Sequence, residues 1–275
     1  MSTPLNIAIN MDFDYTCTRP PIFHQDPFLE QLGINSADFW NKVSTTQRAY
    51  EQRSIGRENF SVMYLTLFQR EVEAKLGRPL TRADLLEAGR LLKKEHLFPG
   101  LPEFWNNIKE GFPNDNLEVR IISVGIKPIL QACPIVGPYV DIIAAYDFLT
   151  EDGSDTGRII GPACTVSSGE KENVVVALSY GKSFRGNLRD GQQVYDFPLR
   201  QTIIIADGFS DRAMCQLGKK YGAATIGIAA DQGAIVKAGR ELGYYFDEFH
   251  VGDYRPGSSL LQSIETKIKS FHDNN

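Results

Sequence analysis

Cysteine is scarce in this chain. Cys17, Cys133, Cys164 and Cys215 are scattered through 275 residues, and no two of them form a Cys-x-x-Cys pair. A chain of this length buries a large core without cross-links, so reduced thiols in a cytoplasm are the expectation. The four histidines are as dispersed as the cysteines and show no metal-ligand spacing, which argues against zinc chemistry. There is no basic excess: the formal net charge is -5, and the electrostatic footprint of a nucleic-acid binder is missing. No apolar run has the length of a membrane span. Met1-Ser2-Thr3-Pro4 leads straight into strand text, without the basic-then-apolar pattern of a signal peptide. Internal repeats and low-complexity tracts are also missing. The expectation is a cytoplasmic protein with neither nucleic acid nor membrane as partner, its oligomeric state open.

What is present is ordinary in bulk and particular in arrangement. Hydrophobic content of 42% and charged content of 23% suit a globular chain of one domain, or of one domain with an inserted module. Strand text at Leu5–Met11 gives way to helical text. From about Pro27 to Leu97 there is no convincing strand. Phe60 to Val72 sets Met63/Leu67 and Leu65/Phe68/Val72 at helical spacings, and Thr81-Arg82-Ala83-Asp84 reads as a capped helix start. Phe98-Pro99-Gly100 is a turn signal that closes this region. Strand text then alternates with helix text: Leu117–Ser123, a helix over Lys127–Cys133, Tyr139–Phe148 with a hairpin-like Thr150–Gly153 beyond it, Gln201–Asp207, and Ala224–Ala229. Gly181–Gly191 reads as a polar loop. The alternation predicts an α/β fold with a Rossmann-like, doubly wound parallel sheet, whose ligands sit at the carboxyl ends of the strands.

The first strand delivers two carboxylates, Asp12 and Asp14, into the turn that leaves it. Charges so close repel by a few kcal/mol, so the pair implies a shared cation or a raised pKa. Alone, Asp-x-Asp at a strand end is more often a solvated turn. Further polar residues close other strands: Ser123 in Ile121-Ile122-Ser123-Val124-Gly125, and Asp207 in Ala206-Asp207-Gly208-Phe209-Ser210-Asp211. Lys171 stands at a helix start and is a candidate for the same rim. Taken singly, Ser123 reads as a helix N-cap, Lys171 as a solvated charge, Asp207 as a turn and Asp211 as the cap of the helix carrying Met214 and Leu217. Acidic residues that close two separate buried strands form the oxygen-rich arrangement that magnesium takes.

The order Asp12-Phe13-Asp14-Tyr15-Thr16, then Ser123, Lys171 and Asp207-Gly208-Phe209-Ser210-Asp211, resembles the haloacid dehalogenase (HAD) superfamily. Ile121–Leu130 and the run from Tyr195 to Ile226 resemble its phosphoserine-phosphatase-like branch. The resemblance implies a core made of residues 1–17 and 98–275, with a helical cap domain inserted over 18–97. It implies a magnesium-dependent phosphatase for a small phosphorylated substrate. Asp12 would be the nucleophile that becomes an aspartyl-phosphate, and Asp14 the general acid and base. Thr16, Ser123, the Val124 amide, Gly125 and Lys171 would hold the phosphoryl group. Asp12, Asp207, Asp211 and the main-chain carbonyl of Asp14 would hold magnesium. A dehalogenase needs no acid for a halide, so Asp14 favours phosphate esters. Ala206, where the family usually has Gly, and Arg212-Ala213, where the branch often has Val-Pro, depart from the pattern without touching a catalytic atom.

The cap would read the leaving group as a lid does. Arg48, Arg53 and Arg57 are its anion-reading candidates, although a solvated helix end is the plainer reading. Tyr15 and Cys17 lie beside the nucleophile, Cys17 more simply as packing. Two other readings stay open: a phosphotransferase of the same superfamily, and a non-catalytic binding protein that retains the fold. The substrate itself is not legible.

Overall fold

A computed structural model describes residues 3–51, 60–180 and 196–273. Its sheet has seven strands in the order β4-β3-β2-β1-β5-β6-β7: β1 Asn6–Met11, β2 Asn116–Ile126, β3 Ile142–Thr150, β4 Ile159–Cys164, β5 Thr202–Ala206, β6 Ala224–Ala229 and β7 Glu248–Val251. Every pairing is parallel except β3 with β4. Helices α1 Asp26–Gln31, α2 Ser36–Glu51, α3 Phe60–Leu76, α4 Arg82–Gly89 and α5 Leu101–Gly111 lie between β1 and β2. The others are α6 Lys127–Ala132, α7 Lys171–Ser179, α8 Arg212–Lys220, α9 Gln232–Leu242 and α10 Ser259–Asp273.

Alternation along the strands accounts for the two helical layers. In β5, Ile203 and Ile205 belong to one buried apolar cluster, and Ile204 and Ala206 to another; in β2, Ile121 and Ile122 divide the same way. Successive side chains leave opposite faces of a strand, so both faces of this sheet are covered. The larger cluster takes Leu101, Phe104, Trp105 and Ile108 from α5 and Leu260, Ile264 and Ile268 from α10. The smaller takes Val175 from α7, Met214 and Cys215 from α8, and Leu242 from α9. The sheet is therefore doubly wound, and the order of its strands reverses at β1.

The helical stretch after β1 leaves and rejoins the sheet through one narrow neck. Thr18 and Leu97 form an antiparallel bridge, flanked by amide-to-carbonyl bonds from Arg19 to His96 (2.9 Å) and from Phe98 to Cys17 (2.9 Å). Its far end is also tied down. α4 begins with a capping box between Thr81 and Asp84, and it packs so tightly on α6 that a Cβ on Gly89 would stand 2.3 Å from the carbonyl oxygen of Ile129. The Ile159 amide donates to the Leu80 carbonyl (2.8 Å) and the Ala83 amide to Asp155 (2.7 Å), which fastens this stretch to the β3–β4 hairpin.

Most differences from the sequence reading lie at strand limits. β2 runs to Ile126, so Ser123 sits inside a strand, with a register shift against β3 between Ile122 and Ile126, and is not a helix cap. The hairpin expected after Phe148 has a second strand, β4, that the text did not announce. It runs through Gly161 and Pro162, and proline is tolerated there because β4 is an edge strand. Arg48 lies exposed on α2, while Arg53, Arg57 and the stretch Gly181–Gly191 fall outside the described residues. Among the described residues no helix is long and apolar enough to cross a membrane, and all four cysteines are free.

Candidate active site

Register brings the site together. Met11, the last residue of β1, pairs with Ile121 of β2 on one side and Ile205 of β5 on the other. Asp12 thus emerges between the carboxyl end of β5, where Asp207 follows Ala206, and the final residues of β2, where Ser123 lies two beyond Ile121. Its amide continues the ladder by donating to the Ile205 carbonyl (3.0 Å). In open α/β sheets this crevice, where strand order reverses, is where ligands bind.

The chain then turns sharply. The amides of Cys17 and Thr18 both donate to the Phe13 carbonyl (2.7 and 3.2 Å). Tyr15 takes φ of 61°, left-handed for a residue with a side chain, and its amide donates to the Thr18 hydroxyl (2.9 Å). Thr16 is buried; its hydroxyl donates to Asp207 Oδ1 (3.4 Å), and its carbonyl accepts the phenol proton of Tyr254 (2.9 Å). Cys17 is wholly buried, and its thiol leans on the Asp12 carbonyl (3.4 Å). Burial pushes that thiol's pKa well up, so it stays a packing group.

Lys171, the first residue of α7, has no exposed surface. Its Nζ donates to Asp12 Oδ1 (2.6 Å) and to Asp211 Oδ1. Burial alone would lower its pKa, but Asp12 and Asp211 hold it above the usual lysine value, so the ammonium stays charged. Asp211 precedes α8 without capping it, because its side chain is committed to Lys171 and to the Ser210 hydroxyl (3.0 Å). Neither residue is the surface charge or helix cap that each resembles in isolation.

Asp12, Asp207 and Asp211 each place a carboxylate oxygen within 4.8 Å of the others. Among the described residues one ammonium faces three carboxylates, and the deficit shows. Burial first and Asp211 second raise Asp12 to about 7, against the pull of Lys171. Asp207 is pushed well above its ordinary value by burial, Asp211 and Asp12. A hard dication with a taste for carboxylate oxygen would remove that deficit, so the donor set fits magnesium.

Asp14 stands apart from the other three carboxylates. Its carboxylate is outside the three-carboxylate group, and among the charges raising Asp12 it ranks below Asp211. The close Asp12–Asp14 repulsion expected from their spacing is therefore a minor influence. The turn instead aims Asp14 at His24, whose main-chain N–H donates to Oδ1 (2.8 Å) and whose ring Nδ1 meets Oδ2 (2.8 Å). Ser123 is buried, and its hydroxyl accepts from the Gly125 amide (3.0 Å). Val124 is half-buried. Gly125 cannot be larger: a Cβ there would stand 2.8 Å from His24 Cε1 and 3.0 Å from Ser123 Oγ.

Two solved structures overlay on most of this chain. A HAD family hydrolase from Salmonella enterica serovar Typhi matches with a TM-score of 0.53 at 18% identity, covering 90% of this chain and 68% of that one. A probable phosphoserine phosphatase from Vibrio cholerae matches with a TM-score of 0.52 at 16% identity, over 86% of this chain and 60% of that one. The chain has the haloacid dehalogenase fold. No protein-family model matches it. Among curated proteins, an uncharacterized protein of Borreliella burgdorferi is 24% identical over 218 residues, 74% of this chain and 75% of that one. The HAD fold explains why residues from distant parts of the sequence meet at the strand ends: its sheet carries them to one crevice.

His24 and Tyr254 escaped the sequence reading. His24 lies among prolines in irregular text, where no periodicity distinguishes a partner of Asp14 from an ordinary buried histidine. Tyr254 follows β7 and looks like any core aromatic.

Proposed function

We propose that this chain is a magnesium-dependent phosphatase that hydrolyses a small phosphomonoester through an aspartyl-phosphate on Asp12, with residues 18–97 as its cap domain. The observation that carries the reading is the group at the carboxyl ends of β1 and β5: buried Asp12 bonded to buried Lys171, with half-buried Asp207 and buried Asp211 within 4.8 Å. Phosphoryl transfer is mostly a matter of positioning and charge neutralisation, and this group supplies both.

Asp12, Asp207, Asp211 and the Asp14 carbonyl would hold magnesium, whose charge offsets that of the phosphoryl oxygens. Lys171 holds Asp12 Oδ1, leaving Oδ2 as the attacking oxygen. The bond from phosphorus to the ester oxygen breaks as a bond to Oδ2 forms, and Asp14 gives the departing oxygen its proton. Water then attacks phosphorus, its proton passes to Asp14, and phosphate leaves Asp12 as it was. The Ser123 hydroxyl and the Val124 amide would be donors for the phosphoryl oxygens, because the Gly125 and Ile126 amides are already engaged.

The full chain with magnesium should release phosphate from p-nitrophenyl phosphate, and Asp12→Asn should lower turnover by at least about 10³-fold. A wild type as inert as Asp12→Asn across sugar, nucleotide, amino-acid and phosphotyrosyl phosphates would refute the reading.

A further inference from the structure

We propose that His24 is the positioning residue for Asp14, and that it works as a fixed donor, tying the acid/base carboxylate to the carboxyl end of β2. The inference rests on the phosphatase reading above.

His24 is 2% exposed, and its main-chain N–H and both ring nitrogens are engaged. The Ile126 amide donates to Nε2 (2.8 Å). A nitrogen that accepts an N–H bond carries no proton, so the hydrogen of the neutral ring is on Nδ1, where it donates to Asp14 Oδ2 (2.8 Å). The tautomer follows from the network. With Nε2 closed off by the main chain, His24 has no second face through which to relay a proton. It orients; Asp14 transfers.

Asp14 accepts from His24 at both oxygens, the N–H on Oδ1 and the ring on Oδ2. A carboxylate in a turn otherwise samples several rotamers, and misplacing a catalytic group by about 1 Å costs about 10²-fold. The other end of the bridge is equally constrained, because Gly125 leaves room for the imidazole where any Cβ would strike it. The same ring that aims Asp14 thus also fixes the carboxyl end of β2, which carries Ser123. His24 is also among the first residues beyond the neck at Thr18 and Leu97, so it ties the start of the helical stretch to the sheet.

The two ring contacts can be separated by isosteres. In His24→Gln the side-chain carbonyl replaces Nε2 as acceptor for Ile126 and the donor to Asp14 is lost. In His24→Asn the side-chain amide replaces Nδ1–H and the acceptor for Ile126 is lost. The readout is the ratio of kcat/KM for an alkyl phosphate to that for p-nitrophenyl phosphate, measured on one preparation so that the active fraction cancels. Because kcat/KM ends at leaving-group departure, the ratio isolates the protonation that an alkoxide needs and a nitrophenolate does not. His24→Gln should lower it by about 10- to 100-fold, while His24→Asn should keep it within about threefold of wild type. Equal losses on both esters in His24→Gln, or the same ratio in both variants, would overturn the positioning role and leave the phosphatase reading standing. Wild type inert on both esters would overturn the phosphatase reading, and this inference with it.

Discussion

Asp12 and Asp14 leave the same strand two residues apart and enter different surroundings. Asp12 is 4% exposed and shares Lys171 with Asp211, in a group short of positive charge. Asp14 is half-buried and turned onto two donors from one buried histidine. Asp211, from the far side of the sequence, raises the Asp12 pKa more than Asp14 does. The difference shows that nearness along the chain says little about coupling once a turn intervenes. The proposed reaction would need such a division, because its nucleophile must be charged and held while its acid must exchange protons with solvent.

The strongest way to break the comparison is Lys171→Met. Removing the cation leaves Asp12, Asp207 and Asp211 unopposed, and breaking a buried pair costs about 3–5 kcal/mol. Urea unfolding of the metal-free protein should show that loss near pH 8 and a smaller one near pH 5, where the carboxyl groups take up protons. Equal losses at both pH values would mean that Lys171 matters as packing alone.

The same charge deficit predicts how magnesium and pH act together. A carboxyl group with a raised folded-state pKa contributes its full stability below its ordinary value, 3.8, and loses it as pH rises through about 7. Asp207 acts in the same direction. The metal-free protein should therefore weaken across that window, and magnesium at about 100 times its Kd should restore about 2–3 kcal/mol near pH 8. Near pH 5 the gain should be much smaller, because protons compete for the same oxygens. A magnesium effect independent of pH would place the ion elsewhere.

Tyr254→Phe sharpens the contrast on the Asp12 side. It removes the phenol that donates to the Thr16 carbonyl, where Thr16 supports Asp207, and should cost about 1–2 kcal/mol. The leaving-group ratio that His24→Gln alters should stay at the wild-type value. Smallest is Thr81→Ala, which removes the cap of α4 at a cost of about 1 kcal/mol in thermal unfolding and leaves kcat/KM unchanged.

Much of this molecule was legible before the structure. β5 and β6 are continuous apolar runs because both faces of the sheet are covered, and the Thr81–Asp84 cap follows from two side chains three residues apart. Asp12 and Asp207 stood out because a carboxylate that ends a buried run demands a reason. The orientation of Asp14 was not legible, because it depends on the turn at Tyr15 rather than on any spacing. His24 was hidden for a related reason: its partners are main-chain amides and one side chain, and no sequence pattern records those. β4 was missed because an edge strand with Gly161 and Pro162 looks like a loop.

The most direct test of the division between the two aspartates is to trap the covalent intermediate in Asp14→Asn. With p-nitrophenyl phosphate the first step needs little acid, whereas the second has lost its base, so phosphate should accumulate on the protein. Acid quenching, borohydride reduction and peptide mapping should then find close to one modified site per chain, at residue 12. No covalent phosphate, or modification at any other residue, would contradict the account.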